Sequence, residues 1–217
     1  MQTQKNAKQK FATLFLTQFA ILVAIEAIFC FTPLGSLPAI GPIVATLSAI
    51  PVIITALLLG TKAGTAMGAC FGLFSFLVWT FMPPSPVMAF IFTPFYSAGE
   101  LSGNIGSLLI CFVPRILIGT VAGLLYNGLK KVIANNLVRM IIASAVGCFT
   151  NTIGVMLGIW LFFGQTYSTM LGQGILVIIG TTILTSGIPE AVVSAIICPA
   201  VARPLEKVTA KFKIAKN

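Results

Sequence analysis

Six apolar runs dominate the chain, over residues 11–31, 43–59, 63–81, 107–129, 137–163 and 172 to about 202. A bilayer hydrocarbon core about 30 Å thick takes about 20 residues of helix to cross. Within it only helices and closed barrels satisfy their own backbone. Runs of this length predict an all-α integral membrane protein. The composition agrees: 58% of residues are hydrophobic and 8% charged, where soluble domains carry about a quarter charged residues. The last run, some 31 residues or about 46 Å of helix at 1.5 Å per residue, is too long for one straight crossing. Gly187-Ile188-Pro189-Glu190 offers a break, because proline suits the first helical position and an acidic residue the first turn. The sixth crossing is therefore expected over 188–208, preceded by a short non-spanning apolar segment over 172–186 packed at the outer end.

Charge then orients the bundle. There are 13 Lys and Arg against 4 acidic residues, all Glu, with no His. With the N-terminus inside, the cytoplasmic side receives Lys5, Lys8, Lys10, Lys62, Lys130, Lys131, Arg139, Arg203, Lys207, Lys211, Lys213 and Lys216. The outer loops, 32–42, 82–106 and 164–171, receive none. The positive-inside rule thus places both termini in the cytoplasm. One membrane domain spans 1–217: a cytoplasmic tail over 1–10, a six-helix bundle over 11–208 and a second tail over 209–217. The basic N-terminus followed by an apolar run resembles a signal peptide. Glu26 interrupts that run and no small-residue cleavage site follows, so an uncleaved first span is expected.

Whole chemistries are excluded by what is missing. Without Asp or His there can be no Ser-His-Asp triad, Cys-His nucleophile, HExxH zinc site or Asp-based two-metal site. No GxxxxGK[ST] loop is present. The chain is expected to be no enzyme and to need no cofactor or metal. Its Lys and Arg gather at the ends of apolar runs and not along a soluble face, which argues against nucleic acid. The five cysteines, Cys30, Cys70, Cys111, Cys148 and Cys198, lie singly inside apolar runs and read as small buried hydrophobes.

One cation has no topological role. Arg115, in Cys111-Phe112-Val113-Pro114-Arg115-Ile116, sits inside the fourth run, where a charge costs at least ~2.5 kcal/mol. It must either grip a carboxylate or phosphate of a ligand or pair internally, with Glu26 or Glu190. Glu190 either compensates a helix terminus or accepts hydrogen bonds from a ligand. Asn151, between Thr150 and Thr152, either bridges helices or meets a ligand. Trp79, Tyr96, Trp160 and Tyr167 fall near the outer interface, as belt anchors or as cavity lining. Glu100 is expected to be solvated in an outer loop and Glu206 to belong to the tail. The outer loops carry Pro33, Pro38, Pro42, Pro83, Pro84, Pro86 and Pro94, and are either stiff enough to form a lid or simply ordinary connectors. Small residues recur at four-residue spacing in Ala20/Ala24, Gly64/Gly68/Gly72, Gly119/Gly123 and Gly154/Gly158, letting helices approach closely.

Residues 31–46 (FTPLGSLPAIGPIVAT), 50–54 (IPVII), 60–64 (GTKAG), 114–119 (PRILIG), 150–152 (TNT) and 187–190 (GIPE) together resemble the substrate-binding (S) components of energy-coupling-factor (ECF) vitamin transporters, most closely the pantothenate-specific branch. The resemblance implies six membrane helices and a site near the outer face closed by the first, third and fifth loops. It also implies a complex with a membrane coupling subunit and two cytoplasmic ATPases, in which the S component topples to carry its ligand inward. Ala20 and Ala24 would dock the coupling subunit. For pantothenate, with a carboxylate, an amide and two hydroxyls, Arg115 would take the carboxylate, and Asn151 and Glu190 the amide or hydroxyls. Asn104, Trp79 and Tyr96 would furnish lid and apolar wall. The other readings are an S component for another small vitamin or precursor, or a structural membrane protein whose buried charges only pair with each other.

Overall fold

A computed structural model of the protein describes residues 2–33, 47–98 and 101–214. Most of the first outer loop, Glu100 and Lys216 lie outside the described residues. The helices are α1 (Gln2–Phe31), α2 (Ala49–Leu59), α3 (Thr61–Phe81), α4 (Ile105–Gly128), α5 (Asn136–Leu171), α6 (Ile175–Thr182) and α7 (Ile188–Ile214). A 3-10 turn over Pro86–Ile91 and a minimal antiparallel hairpin, β1 (Ser97–Ala98) with β2 (Leu101–Ser102), connect α3 to α4.

Five helical stretches among the described residues are long and apolar enough to cross a membrane: Ala12–Phe31, Thr61–Phe81, Ile105–Lys131, Asn136–Leu171 and Ile175–Lys207. The run expected to form the second crossing differs. Its described part, α2, has 11 residues, about 16 Å of helix. Every residue from Ala49 to Leu57 is buried. An all-round apolar helix of this kind is apolar because protein surrounds it; α2 lies among α1, α3, α4 and α7. Gly60 alone joins it to α3, at φ +94°, a backbone region that glycine enters freely.

Two expectations at the outer end are corrected. Residues 164–171 form no loop: α5 continues through them for a total of 36 residues. The chain turns only at Gly172, left-handed at φ +63°. Nor is there a break at 187–190. A π-turn over Ile183–Gly187 joins α6 to α7, and the Ile188 N–H bonds back five residues to the Ile183 carbonyl. The wider turn accommodates Pro189, which has no N–H for the ordinary ladder.

The glycine spacings are used inside the molecule. A Cβ on Gly119 would land on the Gly64 carbonyl, and one on Gly68 on the Arg115 carbonyl; one on Gly123 would lie 2.7 Å from Thr61 Cα. Thus α3 and α4 touch backbone to backbone, and Thr65 and Thr120 share a hydroxyl hydrogen bond of 2.8 Å across the seam. On its other side α4 meets α5, where Gly154 faces Pro114 and Gly158 faces Ile110. At the far end of α4, the Tyr126 hydroxyl donates to Asn136 Oδ1 (2.8 Å) and the Asn136 amide to Glu206 (2.8 Å). Glu206 therefore ties α4, α5 and α7 together rather than trailing in a tail. Ala20 and Ala24 are exposed on α1.

Candidate ligand-binding site

Pro114 sets the conformation of its neighbour. Lacking an N–H, it leaves the Ile110 carbonyl without a helical donor. The Arg115 guanidinium folds back and supplies one, Nη1 donating to Ile110 O at 2.6 Å. Arg115 is 6% exposed, with its charge over the rings of Phe92 at 5.0 Å and Phe71 at 5.8 Å. Cation–π contacts of this kind strengthen when desolvated. Trp79 stacks on Phe92, ring centroids 4.6 Å apart, so α3 and the loop after it buttress the cation from one side. Arg115 Nε is buried and has no hydrogen-bond partner.

Arg115 opens onto a cavity of about 460 Å³, within the range of small-molecule sites. Trp79 reaches it from α3, Arg115 from α4, Asn151 from α5 and Glu190 from α7. These four sequence-predicted residues are brought together. Asn151 Oδ1 is buried with no partner, so it is not bridging helices through that atom. Tyr96 and Asn104 stand elsewhere. The Tyr96 carbonyl accepts from Gly103 N–H at 3.2 Å in the short hairpin. Asn104 is the N-cap of α4, its N–H donating to Ser107 Oγ at 3.0 Å. Glu26 is not on the wall either. It is buried in α1, where Oε1 accepts the Cys30 thiol at 3.3 Å, and it is Cys30 that lines the cavity.

The π-turn controls what α6 and α7 show to the cavity. Thr182 and Glu190 are eight residues apart, so at about 100° per residue an unbroken α-helix would set them about 80° apart. A π-turn absorbs one extra residue, reducing the offset to about 20°. Thr182, Ser186 and Glu190 all line the cavity.

Residues 14–202 match the family described as the ECF transporter, substrate-specific component. The chain belongs to this family. It is 33% identical over 167 residues to the pantothenic acid transporter PanT of Lactococcus lactis subsp. cremoris (strain MG1363), covering 76% of this chain and 80% of that one. Its fold is shared with the S component for biotin from an ECF-type ABC transporter, at TM-score 0.53 and 18% identity over 91% of this chain and 93% of the other. As an S component, the protein is a multi-pass protein of the cell membrane and the substrate-specific part of a transporter, not an enzyme.

Several wall residues of the S component go beyond the sequence reading. Phe92, Ser75, Thr182 and Ser186 line the cavity; of the two roles open to Tyr167 it takes the cavity wall, fully buried, and not the interfacial belt. Trp160, 54% exposed, does face outward. The four-residue spacing of Thr182, Ser186, Glu190 and Ser194 is a signal that a stripe search along the last apolar run would have found.

Proposed function

We propose that this S component binds pantothenate in the cavity and delivers it inward together with a membrane coupling subunit and two cytoplasmic ATPases. The observation that carries the reading is Arg115: a guanidinium in the membrane interior, its orientation fixed by Ile110 and two rings, facing a cavity. Planar N–H groups match a carboxylate two at a time. Asn151 and Glu190 complement an amide and hydroxyls, which pantothenate has. The similarity to a pantothenic acid transporter supports the same ligand. In the membrane, both termini are cytoplasmic and the cavity lies near the outer face. The distribution of Lys and Arg supports that orientation. The exposed Ala20 and Ala24 on α1 offer the coupling subunit a face where another helix can approach closely.

The test is equilibrium binding of a panel of vitamins to the detergent-purified protein, wild type and Arg115→Ala. Pantothenate should bind saturably. Arg115→Ala should weaken it by about thirtyfold or more, since truncating one partner of a buried charge pair costs about 2–5 kcal/mol. Unchanged affinity in Arg115→Ala, or a clear preference for another vitamin, overturns the assignment.

A further inference from the structure

Many helical threonines among the described residues settle their hydroxyls on their own helix. Thr55, Thr120 and Thr185 donate to the carbonyl four residues back at 2.7, 2.9 and 2.8 Å, the usual way for a helical threonine to satisfy itself in an apolar setting. Thr182 does not. It is 1% exposed, lies on the cavity wall, and its Oγ1 is buried without a partner among the described residues. Across the α5–α6 turn the same holds for Tyr167, whose hydroxyl is buried, unpartnered and carried by a residue lining the same cavity. An unsatisfied buried hydroxyl costs about 1–3 kcal/mol. Two on one cavity wall are the mark of a site that expects polar atoms from outside.

Their position along the helices separates them from Arg115. The Arg115 guanidinium is held at the Ile110 carbonyl, and Ile110 faces Gly158 of α5; Tyr167 is nine residues further on, about 14 Å of axis at 1.5 Å per residue. Side chains on a helix lean toward its N-terminus, which brings the Tyr167 ring back toward the Arg115 level, and Tyr167 lines the cavity. Thr182 precedes Glu190 by eight residues, about 12 Å, on the face that the π-turn aligns. The cavity is thus polar at the Arg115 end and again at the Tyr167–Thr182 end, joined along the last helix by Ser186, with an apolar wall that includes Val155, Met156 and Ile91.

Resting on the pantothenate reading, we infer that Tyr167 and Thr182 form a second polar subsite that hydrogen-bonds the hydroxyl-bearing end of the ligand while Arg115 holds its carboxylate. Each hydroxyl can donate and accept, which suits an alcohol better than a second anion, and no cation stands beside them on the wall. A site whose polar groups are otherwise left unpaired rejects a ligand that lacks the matching hydroxyls.

The experiment compares pantothenate with N-(3,3-dimethylbutanoyl)-β-alanine, which keeps the carboxylate, amide and methyl groups and lacks both hydroxyls. Affinities and thermal midpoints are measured for the detergent-purified wild type, Tyr167→Phe, Thr182→Val and Arg115→Ala. The wild type should prefer pantothenate. Tyr167→Phe and Thr182→Val should each weaken pantothenate about three- to tenfold, as one lost hydrogen bond implies, and leave the analogue unchanged. Arg115→Ala should weaken both ligands. The ligand-free midpoints of Tyr167→Phe and Thr182→Val should equal or exceed that of wild type, because each change removes an unpaired buried hydroxyl. The inference is overturned if those variants bind pantothenate as wild type does, lose both ligands equally, or melt lower when empty. If the wild type binds no pantothenate, the ligand assignment of the site fails first and this subsite's ligand with it.

Discussion

Gly68 lies where α3 bears directly on the helix that carries Arg115. A methyl group there would land on the Arg115 carbonyl oxygen and 2.8 Å from Ile116 Cα. Carbon atoms in contact prefer about 3.5–4.0 Å, so α4 would have to retreat by about 0.7–1.2 Å. It has nowhere to go: Gly119 rests on Gly64 one turn along, and on the opposite side Pro114 and Ile110 are pressed against Gly154 and Gly158. Overpacking of this kind costs about 1–3 kcal/mol, partly offset by the roughly 0.8–1 kcal/mol that alanine gains over glycine in a helix. Gly68→Ala should therefore lose up to about 2 kcal/mol net, up to several degrees in thermal midpoint for a chain of this size. Gly180→Ala is the control. It is also helical, but a Cβ there meets nothing within 4 Å, so it should be neutral or slightly stabilising. Melting of the detergent-purified proteins, without ligand, reads the difference directly. Gly68→Ala melting at or above Gly180→Ala would refute the close α3–α4 contact at Arg115. Because the shifted backbone belongs to Arg115 itself, pantothenate affinity should fall in Gly68→Ala beyond what Gly180→Ala shows.

Two further outcomes follow from the packing around the cation. Thr65→Val and Thr120→Val should each destabilise the empty protein by about 0.6–1.7 kcal/mol, the range for a hydroxyl bond between membrane helices; the double variant should lose less than the sum of the two, since both break the one 2.8 Å bond while each also gives up its own bond to the carbonyl four residues back, and fully additive losses in thermal melts would contradict it. Trp79→Ala removes the ring stacked on Phe92 and should weaken pantothenate about tenfold, the value of an aromatic pair plus lost wall area, while Trp79→Phe retains most of the affinity; equal binding by both variants in a titration would show that the stack does not support the site.

How much of this was legible in the chain depends on whether a residue had an alternative to the interior. Arg115, Asn151 and Glu190 stand in apolar runs, where a charge or amide has only the protein's own cavity to turn to, and the structure gathers all three. Tyr96 and Asn104 stand in a polar connector where water and backbone groups are available, and nothing forced them inward; Asn104 became a helix cap instead. Tyr167 was placed at the interface because Gln165, Thr166, Ser168 and Thr169 around it read as loop. Yet α5 runs on through them, with Gln165 and Thr169 outward and Phe163 and Tyr167 inward, a periodicity that outweighs composition.

The apolar residues were informative about class and poor about place. A run apolar all round is consistent with lipid on every side or with protein on every side, and α2 is the second case while its hydropathy resembles the first. Gly187-Ile188-Pro189 is a similar ambiguity: the missing proline N–H demands a departure from the α-ladder, but a π-turn meets that demand as well as a break does. The difference matters for the site. A break would have freed α6 from α7 and let Thr182 take any orientation, whereas a π-turn holds it about 20° from Glu190. A local rule violated by Pro189 is therefore what brings the polar stripe of the last helix into line with the cavity that Arg115 faces.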